Sequence, residues 1–311
     1  MTDFNKLSDV LTREEKISFA LRALYSGYGY KRYKMSKFEE YDLYAGKKDF
    51  LVSENIITFT NTDGKLLALK PDVTLSILKS VEKSTDEINK LQYSESVYRA
   101  KSGDGFKELM QTGIECIGNI GVKEISEVIL LAYESLKEIS DSFALEISSL
   151  DLVDAVIDGV GASEATKKEI IANLGRKNLS GIKKACEAAA LSAEDTAAIC
   201  ALGETYGAPE MVIETLGKML LSDKAREILG DLKALLEKLC ELGVYENVCL
   251  DFSLIANRKF YNGITFGGYV EGSPECVLKG GQYDRLAGKM NVNAKAIGFA
   301  VYLDELGRIK A

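Results

Sequence analysis

The sequence predicts an α+β fold in which an antiparallel sheet flanked by helices is interrupted by a separate block of helices. Segments with strand character occur before residue 150 and return after residue 245. The residues between them are rich in Ala, Leu, Lys and Glu, with helical periodicity in nearly every segment. We therefore expect a core domain formed by residues 1–150 and 245–311, and a helical insertion domain formed by residues 151–244.

The chain before residue 150 contains both helices and strands. Thr12 and Glu15 form a capping box, which begins a helix that ends near Gly27. The tetrapeptide Asn-Thr-Asp-Gly at 61–64 predicts a hairpin turn. The other elements expected here are a strand at 30–35, hairpin strands at 56–60 and 65–69, a helix at 71–83, strands around Arg99 and Gln111, a helix at 122–139 and a strand at 143–149.

Strand character returns after the helical block. We expect strands at 247–254, 263–270 and 275–278, and an apolar helix at 297–306 as the last element. No G-x-G-x-x-G or P-loop sequence lies where a strand runs into a helix, which argues against a nucleotide-binding fold of those types.

The composition is that of an ordinary globular protein and excludes several kinds of active site. Of 311 residues, 46% are apolar and 28% are charged. The formal net charge of −8 provides no general attraction for nucleic acid. Histidine is absent, which excludes Ser-His-Asp sites, Cys-His sites and most zinc enzymes. We expect no metal and no cofactor.

The cysteines and the N-terminus predict a cytoplasmic protein. None of the six cysteines lies in a C-x-x-C pair, and most have apolar or helical surroundings, so we expect buried, reduced thiols. The N-terminus is polar and lacks the apolar core of a signal peptide. No segment approaches the length of a membrane span.

Two segments predict a polar pocket. In the strand around Gln111, the residues Gln111, Gly113 and Glu115 alternate and therefore share one face of the sheet, and Arg99 ends the preceding strand. A guanidinium, an amide and a carboxylate on one sheet can hold a zwitterionic small molecule. Asp72 and Thr74 lie in the first turn of a predicted helix, where helix capping is the alternative explanation for both.

Four segments together resemble the histidyl-tRNA synthetases, a family of class II aminoacyl-tRNA synthetases. Residues 98–118 resemble class II motif 2 in its histidyl form, and residues 69–74 resemble the family's Leu-Arg-Pro-Glu-x-Thr. Residues 260–266 resemble Tyr-Tyr-Thr-Gly-x-x-Phe, and residues 280–284 resemble Gly-Gly-Arg-Tyr-Asp. The segments occur in the family's order, with the helical insertion between the second and third. The resemblance covers the whole chain and implies the class II synthetase-like antiparallel sheet.

The resemblance also implies a histidine pocket. An aspartate at the position of Asp72 is more similar to the family's non-charging relatives, the regulatory subunits of ATP phosphoribosyltransferase. The residues that match the family's histidine contacts are Asp72, Thr74, Arg99, Gln111, Glu115, Tyr261 and Tyr283.

The residues expected to bind ATP in a synthetase are mostly replaced. The catalytic arginine of the histidine-specific segment falls at Ala256, and the arginine for the ATP γ-phosphate falls at Glu305. Lys101, Lys107 and Gln282 replace further polar contacts, and Lys107 lacks the planar fork of an arginine. The chain stops shortly after the last motif, so we expect no anticodon-binding domain and no tRNA binding.

The resemblance therefore implies a regulatory subunit without catalytic residues. Such a subunit activates ATP phosphoribosyltransferase, which joins ATP to phosphoribosyl pyrophosphate in the first step of histidine biosynthesis, and mediates feedback inhibition by L-histidine. The implied assembly is a homodimer within a hetero-octamer that contains a short-form catalytic subunit. Two alternatives remain open: an enzyme that activates an amino acid without tRNA, and a stand-alone amino-acid-binding module.

Overall fold

The computed structural model describes residues 10–46, 51, 56–81, 87–101, 105–219, 222–255 and 258–306, with only the backbone of Ala100 and Lys101. The helices are α1 (Arg13–Gly27), α2 (Asp42–Ala45), α3 (Thr74–Ser80), α4 (Val122–Ile139), α5 (Leu150–Gly159), α6 (Glu164–Leu174), α7 (Leu179–Ala188), α8 (Ala193–Glu204), α9 (Pro209–Gly217), α10 (Asp223–Glu241), α11 (Asp284–Lys289) and α12 (Leu303–Leu306). The strands are β1 (Lys31–Arg32), β2 (Phe38–Glu40), β3 (Thr58–Thr60), β4 (Leu66–Leu69), β5 (Asn89–Lys101), β6 (Gly105–Gly118), β7 (Phe143–Ser149), β8 (Tyr206–Gly207), β9 (Val248–Asp251), β10 (Asn262–Val270), β11 (Leu278–Gln282) and β12 (Lys295–Tyr302). The predicted α+β class is confirmed.

The chain forms two compact units, Met1–Phe143 with Tyr269–Ala311, and Ala144–Gly268. In the first unit the strands follow the order β1-β5-β6-β12-β11. β5, β6, β12 and β11 pair antiparallel, whereas β1 is parallel to β5. β5 and β6 are two long strands of one hairpin, as predicted.

Helices α1 and α4 cover one face of this sheet. On α1, the Ser18 hydroxyl lies 2.9 Å from that of Ser94 and 3.3 Å from that of Thr112, which belong to β5 and β6. Tyr25 of α1 packs edge-on against Phe299 of β12, and its hydroxyl lies 2.9 Å from that of Ser135 on α4. The opposite face of the sheet carries the alternate residues of β5 and β6.

The start of α1 and the small hairpin agree with the sequence predictions. Thr12 and Glu15 form the capping box with both of its hydrogen bonds. β2, β4 and β3 form a separate antiparallel sheet, and Gly64 in the β3–β4 turn has a φ of 84°, which glycine adopts without strain.

The second unit contains the predicted helical block, α5 to α10, together with strands in the order β10-β7-β9-β8. Most of its helices begin with a side-chain cap; the capping residues are Ser149, Ser163, Asn178, Ser192 and Ser222. β9 and most of β10 group with these helices, whereas the sequence assigned them to the core domain. The division into a core and an insertion domain at residues 150 and 245 stays a prediction about folding units.

The predicted final helix at 297–306 is wrong for most of its length. Residues Lys295–Tyr302 form β12, and only Leu303–Leu306 are helical. β12 is an inner strand between β6 and β11, and its run of buried residues, Ala296 to Phe299, includes side chains of both faces. A strand that is apolar on both faces shows no alternation, and its sequence therefore reads like a buried helix.

Three shorter predictions need smaller corrections. The strand expected at 30–35 is reduced to β1, and the strand expected at 275–278 begins only at Leu278. The helix expected at 71–83 runs from Thr74 to Ser80, because Val81 is already extended, with a ψ of 143°.

The cysteines are free thiols, and four of the six are buried, whereas Cys249 is half-buried and Cys240 is exposed. The prediction of a buried thiol is therefore wrong for Cys240. Within the described ranges, none of the helices combines the length and apolar composition needed to cross a bilayer.

Candidate functional site

The predicted polar residues of β6 lie on the sheet face opposite α1 and α4. Thr112 points towards α1, so Gln111, Gly113 and Glu115 point the other way. Across β5 these three residues pair with Glu95, Tyr93 and Leu91, and across β12 they pair with Tyr302, Ala300 and Gly298. The face is thus a polar floor with small residues at its centre.

Glu115 is the centre of a buried hydrogen-bond network. It is 2% exposed. Its Oε1 accepts a hydrogen bond from the Thr74 hydroxyl at 2.7 Å, and its Oε2 accepts one from the Tyr283 hydroxyl at 2.5 Å. Burial raises the pKa of Glu115 to about 8; the two hydrogen bonds oppose this rise and the charge of Asp72 adds to it. Burial thus favours the protonated form of Glu115 over the ionised form.

Asp72 both caps α3 and faces Arg99. Its Oδ1 accepts a hydrogen bond from the Leu75 amide at 3.0 Å, and its Oδ2 lies 3.7 Å from the Arg99 guanidinium. Burial raises the pKa of Asp72, whereas Arg99 and the backbone amides of Leu75 and Thr74 lower it. Arg99 also donates from Nε to the Pro71 carbonyl at 2.8 Å, which fixes the guanidinium beside the start of α3. The capping explanation is correct for one oxygen of Asp72 and leaves the other for a charge interaction.

Gln111 brings an unsatisfied donor to the same face. It is 2% exposed, and its Nε2 has no hydrogen-bond partner among the described residues. Buried polar groups in proteins are almost always paired. An unpaired amide on the same sheet face as Glu115 is the kind of group that a bound polar molecule satisfies.

Sequence reasoning missed a buried ion pair next to Gln111. Lys70 is 1% exposed and its Nζ lies 2.6 Å from Oε2 of Glu95, the cross-strand neighbour of Gln111. The signal was present, since Glu95 and Arg99 alternate on one face of β5 and Lys70 lies in the same segment as Asp72. The pair places both partners at the edge of the polar floor.

Gly298 leaves the space that the Glu115 carboxylate occupies. The two residues are cross-strand neighbours, and a Cβ at position 298 would overlap Glu115 Oε2 and the Ile114 carbonyl. Gly113 is similar, because a Cβ there would overlap the Phe299 carbonyl and the Tyr93 hydroxyl. Both positions require glycine because the neighbouring groups approach closely, although neither φ is positive.

Six of the seven predicted site residues lie in the first unit, and the seventh, Tyr261, lies in the second. Tyr283 comes directly before α11 and is buried; burial and the neighbouring Glu115 raise its pKa well above the usual value. Tyr261 comes directly before β10, is half-buried, and packs edge-on against Phe260 with ring centroids 4.8 Å apart.

Of the positions that match ATP contacts, Ala256, Gln282 and Glu305 carry no positive charge, whereas Lys101 and Lys107 do. Ala256 lies outside the described residues, as does the side chain of Lys101. Arg258, the nearest arginine to Ala256 in the sequence, forms an ion pair with Asp154 of α5. Glu305 lies in α12, so the expected arginine is replaced by an acid. Among the described residues, no cluster of acidic or cysteine side chains could hold a metal ion.

An antiparallel sheet with helices on one face and a buried polar network on the other defines a class II synthetase-like protein. The sequence profile of the histidyl-tRNA synthetases matches residues 6–306. The chain therefore belongs to the histidyl-tRNA synthetase family, and the resemblance inferred from its motifs is confirmed.

Several individual proteins and solved structures are similar to this chain. A Bacillus pumilus protein described as an ATP phosphoribosyltransferase regulatory subunit is 28% identical over 308 residues, covering 97% of this chain and 78% of its own length. A solved Bacillus halodurans structure, described as an ATP phosphoribosyltransferase regulatory subunit/histidyl-tRNA synthetase, has a TM-score of 0.84 at 25% identity and covers 100% of this chain and 82% of that one. An ATP phosphoribosyl transferase complex from Thermotoga maritima includes a chain with a TM-score of 0.75 at 20% identity, with 94% and 98% covered, and this match shows the fold alone.

Replacing Gly298 with Ala is expected to destabilise the protein. The added Cβ forces Glu115 or β12 to move, which costs about 1–3 kcal/mol of the free energy of unfolding. Gly288→Ala on α11 is the matched control, because a Cβ there meets nothing within 4 Å. Chemical denaturation of both variants is the measurement. Equal stabilities would show that the carboxylate does not need the space at Gly298.

Proposed function

We propose that the protein is a regulatory subunit of ATP phosphoribosyltransferase, without catalytic activity of its own, which activates the enzyme and transmits feedback inhibition by L-histidine. The observation that carries the proposal is the polar site of the first unit: Glu115 held by Thr74 and Tyr283, Asp72 beside Arg99, and a donor of Gln111 left unpaired. The relatives described as regulatory subunits support the same conclusion.

The charges of the site fit a zwitterionic amino acid. The ammonium of histidine would lie near Asp72, Thr74 and the side-chain oxygen of Gln111, and its carboxylate would face Arg99 and accept a hydrogen bond from Gln111 Nε2. The imidazole would meet Glu115 and Tyr283, whose hydrogen bond fixes the direction of the carboxylate. Tyr261, which lies in the second unit, matches a ring contact of the family motif, and its role stays a prediction.

The residues near the expected ATP contacts argue against amino-acid activation. Activation needs cations to hold the phosphates of ATP and to stabilise an anionic transition state. Glu305 has the wrong charge, and Arg258 is paired with Asp154. We infer that the pocket retains its ligand function while the adjoining phosphate site is lost.

The proposed assembly is a homodimer within a hetero-octamer that contains the short-form catalytic subunit, located in the cytoplasm and without bound tRNA. Regulation in such an assembly is a coupling free energy between the histidine pocket and the catalytic site, typically about 1–3 kcal/mol.

The purified chain is expected to show no histidine-dependent exchange of pyrophosphate into ATP. The physical reason is the acid at Glu305 and the engagement of Arg258 by Asp154. A histidyl-tRNA synthetase assayed in parallel is the positive control. Exchange above background with any standard amino acid would favour the alternative of a tRNA-independent activating enzyme.

Glu115→Gln is expected to weaken histidine binding roughly 10- to 150-fold, because a hydrogen bond to a charged group contributes about 1.5–3 kcal/mol. Titration calorimetry on the chain assembled with a short-form catalytic subunit measures the change. Glu227→Gln on α10 is the control, since Glu227 is exposed and lies in the second unit. An unchanged affinity in the Glu115 variant would exclude this pocket as the histidine site.

Arg99→Ala is expected to raise the histidine concentration for half-inhibition of the reconstituted enzyme by roughly 10- to 150-fold, through loss of the carboxylate partner. Activation measured in the same assay reports whether the variant assembles. Arg32→Ala on the exposed strand β1 is the control for loss of a guanidinium. If both variants kept the parental sensitivity to histidine, the regulatory site would have to lie elsewhere in the complex.

A further inference from the structure

The buried Glu115 carboxyl has no cationic partner among the described residues, whereas the other buried acid of the site does. Asp72 lies 3.7 Å from the guanidinium of Arg99. The ion pairs of the described residues include none to Glu115, whose hydrogen-bond partners are the neutral hydroxyls of Thr74 and Tyr283. With Arg99 opposite Asp72, an ionised Glu115 would add one uncompensated negative charge to a buried site.

The titratable groups around Glu115 in the first unit do not supply that charge. Asp72, before α3, adds a negative charge. Tyr283 is neutral because its pKa is raised, and it lies near Tyr93 of β5 and Cys116 of β6, whose side chains carry no positive charge in any protonation state. β12 contributes only Gly298 at this point. Among the described residues no group supplies a positive charge to Glu115, and a cationic group of a ligand would supply one.

We propose that Glu115 carries a proton in the empty site and passes it to the imidazole ring of the bound histidine, so that the ring is held as an imidazolium against the carboxylate. This inference rests on the proposed histidine pocket. The O–H bond of Glu115 breaks, an N–H bond forms at the unprotonated ring nitrogen, and the site stays electrically neutral throughout. The raised pKa of Glu115, about 8, supports the presence of a proton on Glu115 in the empty site.

The arrangement favours this transfer once the ring is bound. In water the imidazole has a pKa of about 6.5, below that of the buried Glu115, and this difference by itself keeps the proton on Glu115, so the contacts made in the complex have to outweigh it. The ring N–H then adds a charge-assisted hydrogen bond to a carboxylate that Thr74 and Tyr283 already orient. The attraction between the imidazolium and the carboxylate removes the unpaired charge that burial disfavours. A ring without a basic nitrogen cannot accept the proton, which gives the site a chemical basis for selecting imidazole.

The proposal fixes how many protons accompany binding. Near pH 7 the empty site already holds the proton that the pair shares, so binding exchanges almost none with the solvent. Above a pH of about 8 the empty site has lost this proton, and binding must take it up again. Histidine affinity therefore falls as the pH rises through and above about 8.

The test is titration calorimetry with L-histidine in buffers of different ionisation enthalpy, using the purified chain and the chain assembled with a short-form catalytic subunit. The parent and Glu115→Gln are expected to differ by less than about 0.2 proton near pH ~7 and by about 0.9 proton near pH ~9. Titration of the ligand's amino group is common to both proteins and cancels in the difference.

Two further measurements locate the proton. Histidine labelled with nitrogen-15 in the ring, bound to the sedimented protein near neutral pH, is expected to give the nitrogen shifts of an imidazolium. Tyr283→Phe removes a hydrogen bond that lowers the pKa of Glu115, so the onset of proton uptake should move to higher pH even if Glu115→Gln fails to fold.

Each contrary result has a distinct meaning. A neutral ring in the bound state would overturn the transfer. Uptake of nearly one proton already near neutral pH would show that Glu115 is ionised in the empty site, which also overturns it. Absence of histidine binding in both preparations would overturn the pocket itself, and with it the proposed function.

Discussion

The structure depends on the close approach of β12 to β6 at the pair Gly298 and Glu115. Because Gly298 has no side chain, the Glu115 carboxylate packs over the β12 backbone on the sheet face and stays in reach of the Thr74 and Tyr283 hydroxyls. These two residues lie far apart in the sequence, at the start of α3 and before α11, so the carboxylate joins three segments of the first unit. A side chain at position 298 would separate them, and the polar floor would lose its centre.

The electrostatics of the floor follow from having fewer cations than acids. Lys70 compensates Glu95 and Arg99 faces Asp72, whereas Glu115 has only hydroxyl partners in the described part of the chain. Burial then decides the protonation state of Glu115, because desolvation outweighs the two hydrogen bonds that favour its charged form. A cationic ring is the ligand group that changes this balance most, and a zwitterion supplies the remaining charges for Asp72 and Arg99.

The sequence predicted the elements that have a recognisable hydrophobic pattern. It did not predict a strand whose apolar residues face both sides of the sheet. α4 and β7 were predicted with the bounds that the structure has, because an amphipathic helix and a short apolar run leave clear patterns. β12 was taken for a helix because Ile297, Phe299 and their neighbours are buried on both sides. Whether such a segment forms a helix or a strand depends on its pairing with other strands, and hydrophobic periodicity does not reveal this pairing. The Lys70–Glu95 pair was missed for a similar reason, since it joins residues of two elements.

The buried polar groups of the floor also lower the free energy of unfolding. Their presence therefore needs an explanation other than stability. A buried donor without a partner, such as Gln111 Nε2, costs about 1–3 kcal/mol, and a buried acid without a cation is disfavoured as well. Apolar residues of similar size at Gln111 and Glu115 would remove both costs, since a buried polar network is often no more stable than an apolar replacement. Packing alone therefore does not account for these side chains. A ligand that donates to Glu115 and accepts from Gln111 does, because its binding free energy offsets costs that the empty protein carries.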